Sequence, residues 1–437
     1  MSERKVITRM APSPTGKFHI GSARTALFSY LFAKANNGKF ILRIEDTDKE
    51  RSKKEFEENI FDSFHWLGLD YDGPYRQSER TEIYKEQIQK LLDSGNAYIS
   101  KEEAREEGQR GEVIRFKNPN TKIKFEDQVL GEIEFETKDL GDFVIAKDIE
   151  TPLYHLTVVV DDGLMEVSHV IRAQEHISNT PRQILILEAL GFERPIYAHI
   201  PLVLAPDKTK MSKRHGAVAL LDYKESGYFP EAIINFLAFM GWNPGTQQEI
   251  FSLDELIKEF SLEKVQKGGA VFNVEKLNWF NKQYLNKKSK EEIISGIKHY
   301  VNLPEDMLDR AWPTLIERIH KFSDLENENL SYYNSSPAYE TKDLIWKNSS
   351  EFQTKDYLKD SISLLENADF SSPETIKEAL WNYAEEKGRG DVLWPIRFGL
   401  SGLAKSPDPF TLAFILGKLE TLKRLETAYK KVSEMIR

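Results

Sequence analysis

The segment Pro12-Ser-Pro-Thr-Gly-Lys-Phe-His-Ile-Gly-Ser22 joins a strand-like run to a helix-like run. Before it, residues 4–11 alternate: Val6, Thr8 and Met10 share one side, and Ile7, Arg9 and Ala11 the other, which is a strand pattern. After it, residues 19–35 set Ala23, Ala26, Leu27, Tyr30 and Leu31 on one stripe, and Asn36-Asn37-Gly38 supplies a stop. Residues 39–45 alternate again. Strand, helix and strand in succession make a βαβ unit. That unit predicts a parallel sheet whose ligand site lies at the C-terminal ends of its strands.

The joining segment has chemistry of its own. Unpaired backbone N–H groups and a partial positive charge at a helix N-terminus suit a phosphate. Gly16 and Gly21 let backbone or ligand approach closely. His19 can donate a hydrogen bond to a phosphate oxygen as charge builds there. The Gly-x-x-x-x-Gly-Lys-Ser text of a Walker loop is missing. Alone, a histidine two residues before a glycine at a helix start is a weak signal.

A second element strengthens it. Lys210-Met-Ser-Lys-Arg214 lies far downstream, in a loop after another strand-like run at 196–205. Two lysines and an arginine on a loop can close over a pyrophosphate. One such cation contributes about 3 kcal/mol when charge develops on phosphorus.

Between the two elements the pattern changes and returns. Residues 99–150 carry strand-like fragments at 112–116, 122–125 and 132–136 and read as a mostly β insertion. Val158–Val160 reads as an apolar strand ending in Asp161-Asp162-Gly163, and 165–172 as another strand. Thr180-Pro-Arg-Gln183 reads as a helix start with a Thr-x-x-Gln capping box, and Gly191 as that helix's end. From about residue 230 the chain is helical. Its last helix runs through Leu412, Ile415, Leu416, Leu419, Leu422, Leu425, Tyr429 and Val432 at 3–4 spacing.

Bulk properties bound the answer. At 437 residues the length suggests about three domains. Forty percent hydrophobic and 30% charged residues describe a soluble globular chain, with no apolar run near the roughly 20 residues of a membrane helix. The N-terminus shows no secretory h-region. Cysteine is absent, which excludes disulfides, thiolate zinc sites and a cysteine nucleophile and fits a reducing cytoplasm. A net charge of −10 argues against a generic nucleic-acid coat. Basic clusters at Lys208–Arg214, Lys282–Lys290 and Lys418–Lys431 leave room for a local nucleic-acid contact.

The two elements resemble the HIGH and KMSKS signatures of class I aminoacyl-tRNA synthetases. The finer text is similar to the glutamyl-tRNA synthetase family: Ala11-Pro-Ser-Pro-Thr-Gly16, Arg43-Ile-Glu-Asp-Thr-Asp48, Gly73-Pro-Tyr-Arg-Gln-Ser-Glu-Arg80, Val158-Val-Val-Asp-Asp162, His169-Val-Ile-Arg172 and Phe272-Asn-Val-Glu-Lys-Leu277. The likeness is dense over the catalytic half and thinner to the end. It implies an α/β class I fold: a Rossmann-like parallel sheet split by a connective insertion, followed by an all-α anticodon-binding region. The implied boundaries are 1–98 and 151–229 for the catalytic halves, 99–150 for the insertion, 230–289 for a stem-contact region and 290–437 for the anticodon domain.

The resemblance also implies a two-step reaction. Glutamate attacks the α-phosphate of ATP, carried with magnesium, and the glutamyl group then passes to the terminal adenosine of tRNA. By resemblance, His19 and Lys213 are catalytic. The ATP site comprises Pro12, Ser13, Gly16, His19, Gly21 and Ser22 with Lys210, Met211, Ser212, Lys213 and Arg214. The glutamate site comprises Arg9, Ala11, Ser13, Glu45, Tyr154 and Arg172. Two arginines and one carboxylate at strand ends suit an amino acid with two carboxylates and one ammonium. The implied partners are L-glutamate and tRNA(Glu), with tRNA(Gln) as a second candidate acceptor; no membrane is involved, and the family suggests a cytoplasmic monomer.

Two departures stand out. Many relatives carry a cysteine-rich zinc site after a stretch like Ala97-Tyr98, whereas Ile99-Ser-Lys-Glu follows here without cysteine, so no zinc is expected. The text before Tyr154, Lys147-Asp-Ile-Glu-Thr-Pro-Leu-Tyr154, also differs from the family's usual Arg-Ser-Asp-Gly-x-Pro-Thr-Tyr. Of the competing readings, a nucleotidylyltransferase would be far shorter. A tRNA-modifying glutamyl transferase would lack the helical tail, and a non-catalytic paralogue would have lost His19 or Lys213.

Overall fold

Ile7, Thr8, Arg9 and Met10 form β1 (Ile7–Met10), and all four are buried, as a strand covered on both faces requires. The computed structural model describes residues 5–102, 111–209, 211, 219–347 and 349–436. These fall into two compact units, Met1–Tyr284 and Leu285–Arg437. Helix α1 (Ile20–Ala35) follows β1 and is buried almost all round, at Ile20, Ala23, Ala26, Leu27, Phe28 and Leu31 among others. Strand β2 (Lys39–Ile44) then pairs with β1 in parallel, Ile7 against Lys39 and Met10 against Leu42. After α2 (Lys54–Leu67), β3 (Asp72–Arg76) adds a third parallel strand, and α3 (Thr81–Asp93) follows.

The insertion is β-rich. Strands β4 (Ala97–Lys101), β5 (Glu112–Phe116) and, later, β8 (Phe143–Ala146) form one antiparallel sheet. Between them β6 (Lys122–Asp127) and β7 (Gly131–Glu136) make a hairpin with alternating burial along β6.

The Val158–Val160 run is not a strand. It lies inside α4 (Tyr154–Leu164), where every residue from Leu156 to Asp162 is buried. Tertiary packing overrides the strand preference of three valines. The helix has a further consequence: successive side chains stand about 100° apart rather than on opposite faces, so Asp161 and Asp162 serve neighbouring sets of partners. Strand β9 (His169–Ala173) follows. Helix α5 (Thr180–Leu190) starts one residue earlier than the capping-box reading required: Asn179 occupies the N-cap and makes no side-chain cap bond. The Thr180 hydroxyl instead accepts from Arg172 Nη2 at 2.8 Å. Strand β10 (Ile196–Ile200) pairs with β9 in parallel, and β6 joins β10 at Tyr197 and Asp127. The insertion hairpin therefore extends the second half of the main sheet.

Ser168 joins the two halves. Its backbone N–H donates to Ile7 O at 2.9 Å, and its hydroxyl accepts from Ile7 N at 2.7 Å. From this seam the chain winds outward in both directions, β1 to β2 to β3 and β9 to β10. A crevice beyond the strands' C-terminal ends opens at such a reversal.

A short parallel pair, β11 (Val203–Leu204) with β12 (Ala270–Val271), brackets α6 (Leu220–Glu225), α7 (Pro230–Phe239) and α8 (Leu253–Glu259). Helix α9 (Val274–Leu285) closes the first unit. The second unit is helical, and its longest elements include α-helices at Glu351–Glu366, Pro373–Lys387 and Arg389–Ser401. The single last helix read from the leucine spacing is two helices, Pro409–Leu416 and Lys418–Met435, broken at Gly417 with φ of 79°. Leu419, just past the break, is 88% exposed. No helix among the described residues is long and apolar enough to cross a membrane.

Candidate active site

The turn leaving β1 is tied down at three points. Pro12 O accepts from Glu45 N (3.0 Å), Pro14 O accepts from Lys53 N (3.0 Å), and Phe18 N donates to Asn59 Oδ1 (2.8 Å). It delivers His19 to the N-cap of α1 in extended conformation. His19 Nδ1 accepts from Ser22 N at 3.2 Å, which leaves the proton of the neutral imidazole on Nε2. A Cβ at position 21 would meet that ring at 3.2 Å. Glycine therefore lets the imidazole fold over the first turn, which explains the His-x-Gly spacing. Gly16 has nothing within 4 Å of a Cβ and leaves the approach open.

The chain on the C-terminal side of the lysine-bearing segment meets this turn. Lys210, Ser212, Lys213 and Arg214 lie outside the described residues, but both flanks of the loop are placed. Met211 N donates to Val203 O at 3.1 Å. On the far side, Leu220 N donates to Phe18 O at 2.8 Å, and Ala219 pairs with His19 in an antiparallel bridge. Met211, Ala219 and His19 share the wall of one cavity of about 1070 Å³. Pro12, Ser13, Gly16, Gly21 and Ser22 line it near the helix start, and Arg9, Ala11, Glu45, Tyr154 and Arg172 line it near the strand ends.

Beneath the cavity lies a charge cluster that spacing alone did not reveal. Arg9 gives Nε and Nη2 to the two oxygens of Asp162, at 3.1 and 3.3 Å. Arg43 gives Nη1 to Asp162 at 2.7 Å and Nη2 to Glu45 at 3.2 Å. Asp161 takes Arg80 Nε at 2.8 Å, Gln77 Nε2 at 2.9 Å and the Tyr84 hydroxyl at 2.9 Å. Burial pushes the Asp162 carboxyl up, but Arg9 and Arg43 overcome it and hold the group below its usual range. Burial also dominates at Glu45, where the two arginines oppose it only in part and the pKa rises to about 7. His176, on the same cavity wall, is pushed down to about 4 by burial and by Arg172, so it is neutral at pH 7.

Arg172 differs from Arg9 and Arg43. Its hydrogen bonds go to His199 Nε2 (3.2 Å), Gln183 Oε1 (2.7 Å) and Thr180 Oγ1 (2.8 Å), all neutral. It is 6% exposed, and burial lowers its pKa from the ordinary arginine value. A buried guanidinium without a carboxylate is held at a cost that an anionic ligand offsets.

A catalytic-domain model for class I tRNA synthetases of the glutamate and glutamine type matches residues 5–112 and 99–279, and an anticodon-binding-domain model matches 277–429. The chain belongs to the class I tRNA synthetases. Among relatives of this synthetase, the glutamate–tRNA ligase of Carboxydothermus hydrogenoformans is 40% identical, over 96% of this chain and 99% of its own length. That of Aquifex aeolicus is 44% identical, over 89% and 83%. The crystal structure of a glutamate tRNA ligase from Elizabethkingia meningosepticum, in complex with its amino acid, superposes with a TM-score of 0.88 at 33% identity, covering 98% of this chain and all of that one.

In this synthetase's second unit, several aromatic and basic residues lie close together. Trp381 has Lys377 Nζ 4.4 Å and the Arg389 guanidinium 4.6 Å from its ring centre. Trp394 has Arg397 at 4.9 Å and donates its Nε1 hydrogen to Asp343 O at 2.9 Å. Tyr383 donates to Asp360 at 2.7 Å. Arg43, Asp161 and Asp162 were quoted in the motifs without a role. The signal was an Arg-x-Glu at the end of a buried strand and two adjacent carboxylates in an apolar run.

Proposed function

We propose that this synthetase joins L-glutamate to tRNA by way of glutamyl-adenylate, with ATP entering as its magnesium complex. The observation that carries the reading is Arg172, a buried cation with no carboxylate hydrogen-bond partner among the described residues, in the same cavity as the His19-capped helix start. Around the strand ends, Arg9 and Arg43 are paired with Asp162 and Glu45, whereas the hydrogen bonds of Arg172 go to neutral groups. Glutamate, with two carboxylates and one ammonium, supplies the missing negative charge; glutamine does not. In this reading Arg172 and Arg9 hold the carboxylates, Glu45 receives the ammonium and Tyr154 covers the pocket.

The triphosphate lies against the N-terminus of α1. His19 donates from Nε2 as charge develops at the α-phosphate, and Lys213 with its neighbours closes from the loop whose flanks meet Phe18 and Val203. Pyrophosphate leaves and the adenylate remains for the tRNA 3′-adenosine. The Trp381, Trp394, Arg389 and Arg397 groups suit stacking and edge contacts with splayed bases.

The test is ATP–pyrophosphate exchange with glutamate and with glutamine, with and without tRNA. Glutamate-dependent exchange in the presence of tRNA is expected, and Arg172→Ala raises KM for glutamate at least about 100-fold, the loss of a buried charge-assisted contact. No exchange with cognate tRNA present overturns the reading. Charging of tRNA(Glu) and tRNA(Gln) side by side defines the acceptor.

A further inference from the structure

Arg172 does not set its own direction. Its Nε–H points at His199 Nε2, 3.2 Å away. That nitrogen accepts only when it carries no proton, so the proton of a neutral His199 belongs on Nδ1. Asp127 Oδ2 stands 2.6 Å from Nδ1 and takes that hydrogen bond. Asp127 Oδ1 is occupied elsewhere, by the backbone N–H groups of Val129 (3.0 Å) and Leu130 (2.9 Å), and the His199 backbone N–H is shared between Oδ1 (3.2 Å) and Oδ2 (3.1 Å). The side chains of both Asp127 and His199 are 0% exposed. Burial disfavours the imidazolium more than Asp127 favours it, so the His199 pKa lies below its ordinary value.

Asp127 ends β6, in the hairpin of the insertion, and does not line the cavity. We propose that Asp127 is a positioning residue for the amino-acid pocket: it locks His199 in the Nδ1–H form, and that form holds the Arg172 guanidinium where it meets a substrate carboxylate. The inference rests on the reading of Arg172 as a carboxylate ligand. It gives the insertion a part in amino-acid recognition, through the point where β6 meets β10.

Asp127→Asn tests it with almost no change in shape. The asparagine oxygen is needed by the Val129 and Leu130 N–H groups, so its NH₂ faces His199 Nδ1. The imidazole proton then moves to Nε2, where it opposes Arg172 Nε–H and is accepted by Thr180 Oγ1, 3.1 Å away, so the guanidinium loses its imidazole acceptor and turns away. In the wild-type full-length protein, two-bond ¹⁵N–¹H correlation spectra of ¹⁵N-histidine protein, assigned with His199→Gln, show His199 as Nδ1–H. In Asp127→Asn the pattern becomes Nε2–H, and KM for glutamate rises about 10–100-fold while KM for ATP stays within about 2-fold. An Nε2–H pattern in the wild type overturns the proposal, whether or not any variant folds. So does an unchanged KM for glutamate in a folded Asp127→Asn. Arg172→Ala separates the two levels: if it raises KM for glutamate and Asp127→Asn does not, only the positioning role falls. If Arg172→Ala leaves KM unchanged, the reading of the pocket falls first.

Discussion

His19 lays its imidazole across Gly21, with Nδ1 3.2 Å and Cε1 3.3 Å from where a Cβ at position 21 would sit. The glycine lies in the first turn of α1 and has no positive φ, so its lack of a side chain is needed for the ring and not for the backbone. Gly21→Ala should therefore separate stability from catalysis. Alanine favours the helix by up to about 1 kcal/mol, so the melting temperature stays level or rises. The methyl group moves the ring by a few tenths of an ångström, and kcat for pyrophosphate exchange drops about 10-fold or more, with KM for glutamate unchanged. Thermal unfolding and exchange kinetics on the same preparation check both halves. A variant with full kcat would show that the imidazole's position is not what the glycine protects.

Glu45 gives the amino-acid site a pH dependence. With its pKa raised to about 7 by burial, the unliganded pocket holds a largely protonated carboxyl below neutrality. The substrate ammonium needs the ionised form, so KM for glutamate rises as pH falls below 7, and binding near pH 7 releases protons. Folding stability carries the opposite sign. The native carboxyl keeps its proton up to about 7 while the unfolded one loses it near the ordinary glutamate value. This contribution is fully present below that ordinary value and is lost as pH rises toward 7. Glu45→Gln flattens the KM profile. Calorimetric titration in two buffers of different ionisation enthalpy measures the proton release, and a KM that is flat between pH 6 and 8 in the wild type contradicts it.

The strand–turn–helix at Pro12–Ser22 was legible because its signals are local: alternation in β1, two prolines, and a histidine and glycine at helix spacing. Arg9, Glu45 and Arg172 were legible as strand-end residues once the parallel sheet was inferred. The α4 helix was not, because Val158–Val160 carries strand propensity and its helical state is set by the packing of Leu156 through Asp162. The same burial hides the pairing of Asp162 with Arg9, 153 residues away in sequence. Arg172's lack of a charged partner was equally invisible, since an absence of pairing leaves no periodicity to read. Gly417 shows the converse: heptad-like leucines continued across a glycine whose φ of 79° ends one helix and begins another.

Adjacent carboxylates on α4 make a paired prediction. Asp162 bridges Arg9 and Arg43, and both Arg9 and Glu45, another partner of Arg43, line the cavity. Asp161 serves Arg80, Gln77 and Tyr84 and stands 3.6 Å from Arg43 Nε, and none of these four lines it. Removing either charge breaks a buried pair and costs about 3–5 kcal/mol, with Asp161→Asn toward the low end because Arg80, 18% exposed, can turn to water. The kinetic effects differ. Asp162→Asn releases Arg9 from its carboxylate and leaves two guanidinium groups facing one another, so the charge balance around the ligand changes and KM for glutamate shifts about 10-fold or more. Asp161→Asn leaves Arg9, Glu45 and Arg172 with their partners, and KM for glutamate stays within about 3-fold, under 1 kcal/mol. Urea unfolding measures the first quantity and glutamate-dependent exchange the second. Equal KM shifts in the two variants would mean that the cluster acts as one unit and that α4 does not divide it between fold and pocket.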